Sequence, residues 1–387
     1  RYSSPPPQNR RIRPSFKRRV FFITGGVVAV ILRFATVPWR RWLKRKYGAN
    51  RVFIYEPYGM GDVLALQPLI ISHLKAGAEV VLAARPEWAE IIPPHPKFTF
   101  LPLNQKYAAH DHKKKKYTDF LTAAATMRPY ARGARGIDVR GDVRSIVLMY
   151  LAGCGRVYTL PRYFTANDSL VLPLAAHRVK LEKNVSRRLL NRSFAPEDVD
   201  YRRTTVTHLA RMINVPSDSG RVGLIPMTPW IGKHWFPEFW REIIIQLRLE
   251  NFDPVILCGP YEVDAALEAT AAGDLNIECL ECDSVSRWVT ELAKCGPVIS
   301  VNTGPMHLAD ALDKPLVVIE GSSRLPLWAP EGERSFVVHR QDVVKCAPCH
   351  QVGDTFECER QCMAMIRPHD VLAALQIVIK RSSDDLS

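Results

Sequence analysis

Two glycine-containing turns constrain this chain most: Gly59-Met60-Gly61-Asp62-Val63-Leu64 and Asn302-Thr303-Gly304-Pro305-Met306-His307. Each follows a short β-branched run, residues 51–55 and 297–301, and each opens a segment with helical spacing. Both read as strand–turn–helix crossings. In open α/β sheets, ligands bind at such carboxyl strand ends, where unpaired N–H groups of a helix start attract anions. Two crossings far apart on one chain predict two nucleotide-binding-like halves, a layout that suits group transfer.

The pattern around the turns is alternating. In the first half, residues 52–55, 79–83, 136–139 and 157–160 read as strands. Helical spacing covers 62–75, 143–151 and 204–213. The second half restarts with strands at 222–226, 254–258, 298–301 and 316–320. Its helices fall at 237–250, 262–272, 285–294 and 306–312. Strands alternating with helices predict parallel sheets. The expected architecture is two Rossmann-like α/β domains, 48–216 and 217–387, whose parallel sheets face a central cleft. Residues 214–221, rich in Pro, Ser and Gly, mark the boundary.

The formal charge of +14 is confined to one place. Residues 1–46 hold 13 Arg/Lys and no acid, whereas the remaining 341 residues hold 40 basic and 39 acidic groups. A nucleic-acid partner would want a basic face on the fold itself, so none is expected. Within residues 1–47 the apolar run 20–32 reaches only ~20 Å as a helix, short of a ~30 Å hydrocarbon core. Basic flanks on both sides oppose a simple crossing. The segment is expected to associate with the membrane as an interfacial helix or a shallow hairpin bent near Gly25-Gly26, held by Trp39, Trp42 and anionic lipid. Nine cysteines, an odd number, fit a reducing compartment. The expected location is therefore the cytoplasmic face of an inner membrane, peripheral or monotopic.

Several residues are placed to do chemistry. Asp62 lies in the first helical turn after the first strand, where it either complements the helix dipole or acts on a substrate. Thr303, Gly304, Pro305, Met306 and His307 supply a helix start able to hold a diphosphate. Thr228 and Lys233 lie on the crossing after the first strand of the second half, and Lys233 can neutralise a phosphate. Glu262 follows a strand end and can accept ribose hydroxyls or cap its helix. Cys346, Cys349, Cys358 and Cys362 form CxxC–x8–CxxxC, a spacing suited to a tetrahedral zinc or iron clip, with free thiols the alternative. Four thiolates leave no open position, so no cofactor is assigned to catalysis. Cys279 and Cys282 read as core thiols, and the run Lys113–Lys116 as a solvated loop or an anion-steering one.

Taken together, the segments YGMGDVLALQPLI, GIDVRGDVRS, TPWIGKHWFPEFW, CGPYEVDAAL and SVNTGPMHLADALDKPLVVIEG resemble the lipopolysaccharide heptosyltransferases, glycosyltransferase family 9. The resemblance implies a GT-B fold and metal-independent, inverting transfer from a nucleotide-diphosphate sugar, ADP-heptose, to an anionic glycolipid such as the lipopolysaccharide inner core. It implies that Asp62 is the general base, that Thr228, Lys233, Thr303, Gly304 and the amides up to His307 bind diphosphate, and that Glu262 holds the nucleoside. Gly61, Arg140 and Arg144 would face the acceptor. The family carries Asp-Thr-Gly where this chain has Asn302, which offers the donor sugar a neutral amide. Transfer to a protein hydroxyl, or binding without catalysis, are the alternative readings.

Overall fold

The computed structural model describes residues 16–47, 50–105, 119–160, 174, 176–180, 185–197, 199–210, 218, 220–348 and 359–384. The chain divides into two compact units, Arg11–Arg202 and Arg203–Ser387. The run Lys113–Lys116 and most of the boundary expected at 214–221 lie outside the described residues.

The first unit holds six strands: β1 (Arg51–Glu56), β2 (Glu79–Ala84), β3 (Phe98–Pro102), β4 (Arg135–Asp138), β5 (Arg156–Thr159) and β6 (His177–Arg178). They pair in parallel in the order β3-β2-β1-β4-β5-β6. The second unit holds β7 (Arg221–Ile225), β8 (Asp253–Cys258), β9 (Glu278–Glu281), β10 (Val298–Val301), β11 (Leu316–Glu320) and β12 (Ser335–His339). These pair in parallel as β12-β11-β10-β7-β8-β9. Counted within its unit, each sheet has the strand order 3-2-1-4-5-6 of dinucleotide-binding folds. The strands run as near-continuous apolar sequence because helices cover both faces. Thus Val52 to Tyr55, Val255 to Leu257 and Val298 to Ile299 are almost fully buried.

Helix Pro237–Leu249 shows how the cover is built. Pro237 starts it at a position that needs no N–H, and Trp240, Ile243, Ile244 and Leu247 form its buried stripe. The helix Pro368–Asp384, not read from sequence, packs on β11 and β12 through Val371, Ala374, Leu375 and Val378. The helix expected over 62–75 is two helices, Met60–Leu64 and Gln67–Lys75. Pro68 separates them, since its ring cannot continue a helix past the carbonyl four residues earlier.

The N-terminal segment differs from an independent appendage. It forms helices Phe16–Ala35 and Val37–Tyr47, and the stretches Ile23–Ala35 and Val37–Lys46 meet at 61°. The bend is at Thr36, just ahead of Pro38, and not at Gly25-Gly26. Those glycines serve closeness instead: a Cβ on Gly25 would stand 3.2 Å from Val143 Cγ1 of helix Val143–Leu151. Gly133 answers the second helix in the same way. Its φ is +72°, and a Cβ there would meet the Leu43 carbonyl oxygen at 2.9 Å. Ala29 and Leu43 are buried, and Arg40 donates to the Gly155 carbonyl at 2.6 Å while lying over the Tyr150 ring.

Because Leu43 is a buried part of the first unit, Leu43→Ala should lower the unfolding free energy by roughly 2–4 kcal/mol, as cavity-forming substitutions do. Denaturant titration reads this directly, and an unchanged midpoint would make the segment an appendage after all.

Candidate active site

In each sheet the strand order reverses between the first and fourth strands of the unit, and ligands of such sheets bind there, beyond the carboxyl ends. The residues singled out from sequence divide between these two places.

In the first unit the reversal lies between β1 and β4. β1 ends at Glu56, and the turn that follows places Asp62 in the helix Met60–Leu64, where its Oδ2 accepts the Gly59 N–H at 3.3 Å. Its Oδ1 pairs with Arg140 Nη1, which arrives from the turn after β4. Asp138, the last residue of β4, shapes that turn. It accepts the Arg140 N–H at 3.2 Å, the Asp142 N–H at 3.0 Å and the Thr159 hydroxyl at 2.6 Å. Burial pushes the Asp138 carboxyl up to about 6, and these donors hold it back from rising further. Arg140 also lies over the Tyr58 ring, 3.9 Å from its centroid.

Arg144 is engaged differently. Asp142 caps helix Val143–Leu151 and accepts both the Arg144 N–H at 2.9 Å and its guanidinium at 2.6 Å. Arg144 further donates to the Tyr58 hydroxyl at 3.0 Å. The structure therefore brings Arg140 to Asp62 and ties Arg144 to Asp142. Gly61 sits within the short helix beside Asp62.

Two charged residues that sequence reasoning missed complete this cluster. Arg187, at the start of helix Arg187–Arg192, brings its Nε to 4.0 Å from Asp62 Oδ1. Glu56 is fully buried, with Oε1 accepting the Tyr58 N–H at 3.1 Å and lying 3.6 Å from Arg140 Nη1, while Oε2 has no hydrogen-bond partner. Burial pushes the Glu56 carboxyl up to about 7, against the pull of Arg140. The only signal for Glu56 in the sequence is an acid closing an apolar strand. Arg187 has none, for it lies in a polar stretch with weak periodicity.

In the second unit the reversal lies between β7 and β10. The loop after β7 is pinned by the His234 ring against the Thr228 carbonyl at 2.7 Å and by Trp235, whose Nε1 donates to the Ile366 carbonyl at 3.0 Å. This presents Lys233, whose Nζ donates to Asn302 Oδ1 at 3.0 Å and to the Asn302 carbonyl at 3.2 Å. Asn302, buried just past β10, donates its Nδ2 to the Trp328 carbonyl at 2.8 Å. Thr303 and Gly304 then open helix Gly304–Ala311, with Pro305 in its first turn. The first N–H groups of a helix have no intrahelical acceptor and carry its positive dipole end.

His307 and Trp328 lie ring to ring at 5.9 Å. The Met306 side chain is buried in the core, so only its backbone is available to a ligand. Thr228 is likewise buried. Glu262 caps the turn after β8, its Oε2 accepting the Gly259 N–H at 2.8 Å. Glu320, another acid missed from sequence, ends β11 fully buried. Its Oε1 accepts the Ser323 N–H at 2.8 Å and its Oε2 lacks a partner. Burial pushes its carboxyl up, and the charge of Lys233 opposes that.

Of the four-cysteine cluster, Cys349 and Cys358 lie outside the described residues, Cys346 is exposed and Cys362 is buried. Among the described residues no group of three or more His, Cys, Asp or Glu is arranged to hold a metal ion.

Residues 166–359, half of the chain, match the family described as glycosyltransferase family 9 (heptosyltransferase). Over 128 residues the chain is 31% identical to lipopolysaccharide heptosyltransferase 1 of Escherichia coli K12, a stretch that is 33% of this chain and 40% of that protein. The chain thus spans about two fifths of the length of the curated relatives it matches. Among solved structures, E. coli ADP-heptose lipopolysaccharide heptosyltransferase II superposes with a TM-score of 0.60 at 16% identity, covering 86% of this chain and 99% of that one. An E. coli heptosyltransferase solved with ADP-2-deoxy-2-fluoro heptose gives 0.61 at 19% identity, covering 84% and 99%. The expected two-domain GT-B fold is borne out by these likenesses and by the two parallel sheets.

The raised Glu56 carboxyl has a consequence for stability. Below about 4.5 it is protonated in both states; between there and about 7 the unfolded chain ionises while the folded one keeps its proton. Stability is therefore lost as pH rises through that window. Relative to Glu56→Gln, the wild type should lose on the order of 1–3 kcal/mol between pH 5 and 8. Urea unfolding of both proteins at the two pH values reads this, and a difference flat with pH would mean that Glu56 ionises normally.

Proposed function

The chain belongs to glycosyltransferase family 9, and from that premise we propose that it transfers a heptose-like sugar from a nucleotide-diphosphate donor, ADP-heptose, to a hydroxyl of an anionic glycolipid such as the lipopolysaccharide inner core. The observation that carries the reading is the matched chemistry at the two strand-order reversals. One holds a carboxylate with arginines and the other a lysine beside a helix N-terminus. The solved relative that holds an ADP-heptose analogue supports the choice of donor.

On this reading the first unit takes the acceptor and the second the donor. Asp62 accepts the proton of the acceptor hydroxyl, and the oxygen attacks the anomeric carbon as the bond to diphosphate breaks, with inversion. The departing diphosphate gains charge as it leaves. Lys233 and the first N–H groups of helix Gly304–Ala311 are fixed before the reaction, so stabilising that charge costs little reorganisation. Arg140 and Arg187 give an anionic acceptor its counter-charges, and the acceptor exchanges places with Asp62 in the Arg140 ion pair. That pairing also favours a second reading, a relative that binds donor without turnover, because Arg140 occupies the Asp62 oxygen that would meet the acceptor hydroxyl.

Intact-mass measurement of a Kdo-lipid A acceptor incubated with ADP-heptose tests the reaction. The wild type should add one heptose, and Asp62→Asn should abolish the gain while keeping nucleotide affinity within about twofold. Donor binding without any wild-type transfer to this acceptor, or to a peptide, would install the second reading. Lys233→Ala should weaken ADP binding by calorimetry about 10–100-fold, the loss expected for a charge-assisted contact. An unchanged affinity would take Lys233 out of the donor site.

A further inference from the structure

The N-terminal helix pair has two unlike faces. The inner face is committed to the first unit: Gly26, Ala29, Arg40 and Leu43 are buried, and Arg33 donates back to the Leu174 carbonyl at 2.9 Å. The outer face of the first helix carries Ile23, Val27, Ile31 and Phe34, spaced as one helical stripe, with Ile31 58% and Phe34 59% exposed. Past the bend Trp42 is 52% exposed, while the edge of the Trp39 ring abuts Gly153, and the exposed cations Arg41, Lys44, Arg45 and Lys46 follow. Lys46 lies over the Trp42 ring at 4.9 Å. Among the described residues no single helix is long and apolar enough to cross a membrane, although Ile23–Ala35 and Val37–Lys46 taken together have the length and composition for a bent span.

We propose that this outer face is a docking surface for an anionic phospholipid leaflet. The helix pair lies in the plane of the interface as a fixed part of the first unit, with Ile23, Val27, Ile31 and Phe34 in the acyl boundary and the cations on the headgroups. Three observations choose this occupant and this mode. An apolar stripe followed by an exposed tryptophan and then by cations matches the layering of a leaflet: acyl chain, interface, phosphate. The charge complementarity is one-sided, since residues 1–46 contain no acid. A crossing would strip Ala29, Arg40 and Leu43 from their partners, whereas an in-plane helix pair keeps them. The inner face rests on Val143, next in sequence to the Asp142 cap that follows the Arg140 turn. Lipid docking and the acceptor side of the site therefore share one helix.

The inference deepens the glycolipid reading without needing it, so the test uses vesicles that contain no lipopolysaccharide. The full chain should sediment with phosphatidylglycerol/phosphatidylethanolamine vesicles and lose at least tenfold in affinity on neutral phosphatidylcholine. Ile31→Asp/Phe34→Asp, and separately glutamine at Arg41, Lys44, Arg45 and Lys46, should each weaken anionic-vesicle binding at least tenfold with the unfolding midpoint unchanged. Binding that survives either change in a folded variant overturns the proposal. In cells, a tag at residue 1 should resist protease in intact spheroplasts together with the body and be digested with it in inverted vesicles. Digestion of the tag alone in spheroplasts would show a crossing and overturn the in-plane arrangement.

Discussion

The reversal of strand order in the middle of each sheet is the constraint on which the sites depend. Right-handed crossovers send the helix after the first strand to one face and the helix after the fourth to the other. The loops at those two strand ends diverge, and the carboxyl edge between them stays open. In the first unit the loops are those of Asp62 and Arg140, and in the second those of Lys233 and Asn302. Side chains distant in sequence become hydrogen-bond neighbours through backbone topology alone. Since the strands are buried on both faces, polar groups accumulate where the strands stop: Glu56, Asp138 and Glu320 are each the last residue of a strand.

These terminal carboxylates are expensive to bury, and burial pushes all three toward their neutral forms. In return they organise the loops, each accepting a backbone N–H from the turn that follows. The two sites then differ in charge balance. In the first, Arg140 and Arg187 face Asp62 and the buried Glu56, so the guanidiniums are already paired. In the second, Lys233 donates to the neutral amide of Asn302, and its charge opposes the rise of the buried Glu320 carboxyl. A lysine held on a neutral amide beside a helix N-terminus suits a diphosphate. A cluster whose arginines are already ion-paired suits a ligand that enters by exchanging partners.

Much of this was legible in the sequence because it is local. An apolar run followed by Gly59-Met60-Gly61 or Thr303-Gly304-Pro305 has one economical fold, so the strand ends were legible, and Asp62, Lys233 and Asn302 lie at the two strand-order reversals. Edge elements were harder: Phe98–Pro102, Ser335–His339 and the two-residue strand His177–Arg178 are short and only partly buried, which weakens their apolar signature. Roles set by tertiary partners were not legible at all. Arg140 and Arg144 occupy equivalent-looking positions in sequence, yet the Asp142 cap takes one and leaves the other to Asp62. Glu262 caps the turn after β8 with one carboxylate oxygen, and the Met306 side chain is core while its backbone stays at the helix start.

The N-terminal segment carries the same lesson about partners. Its charge marks it as a separate piece, and composition offers nothing to contradict that. What ties it to the body is a row of small residues, Gly25, Gly26 and Ala29, on a helix where glycine costs about 1 kcal/mol each. That cost is offset by close approach to Val143 and by burial of Ala29, contacts no periodicity of large apolar residues announces. The arrangement also limits how the segment can move. A helix pair whose inner face is core cannot swing out of the first unit; on the proposed docking it meets the bilayer with the face it already shows. The orientation of the first unit at a surface is then set by packing on helix Val143–Leu151, and the turn that aims Arg140 at Asp62 is anchored to the N-terminus of that helix.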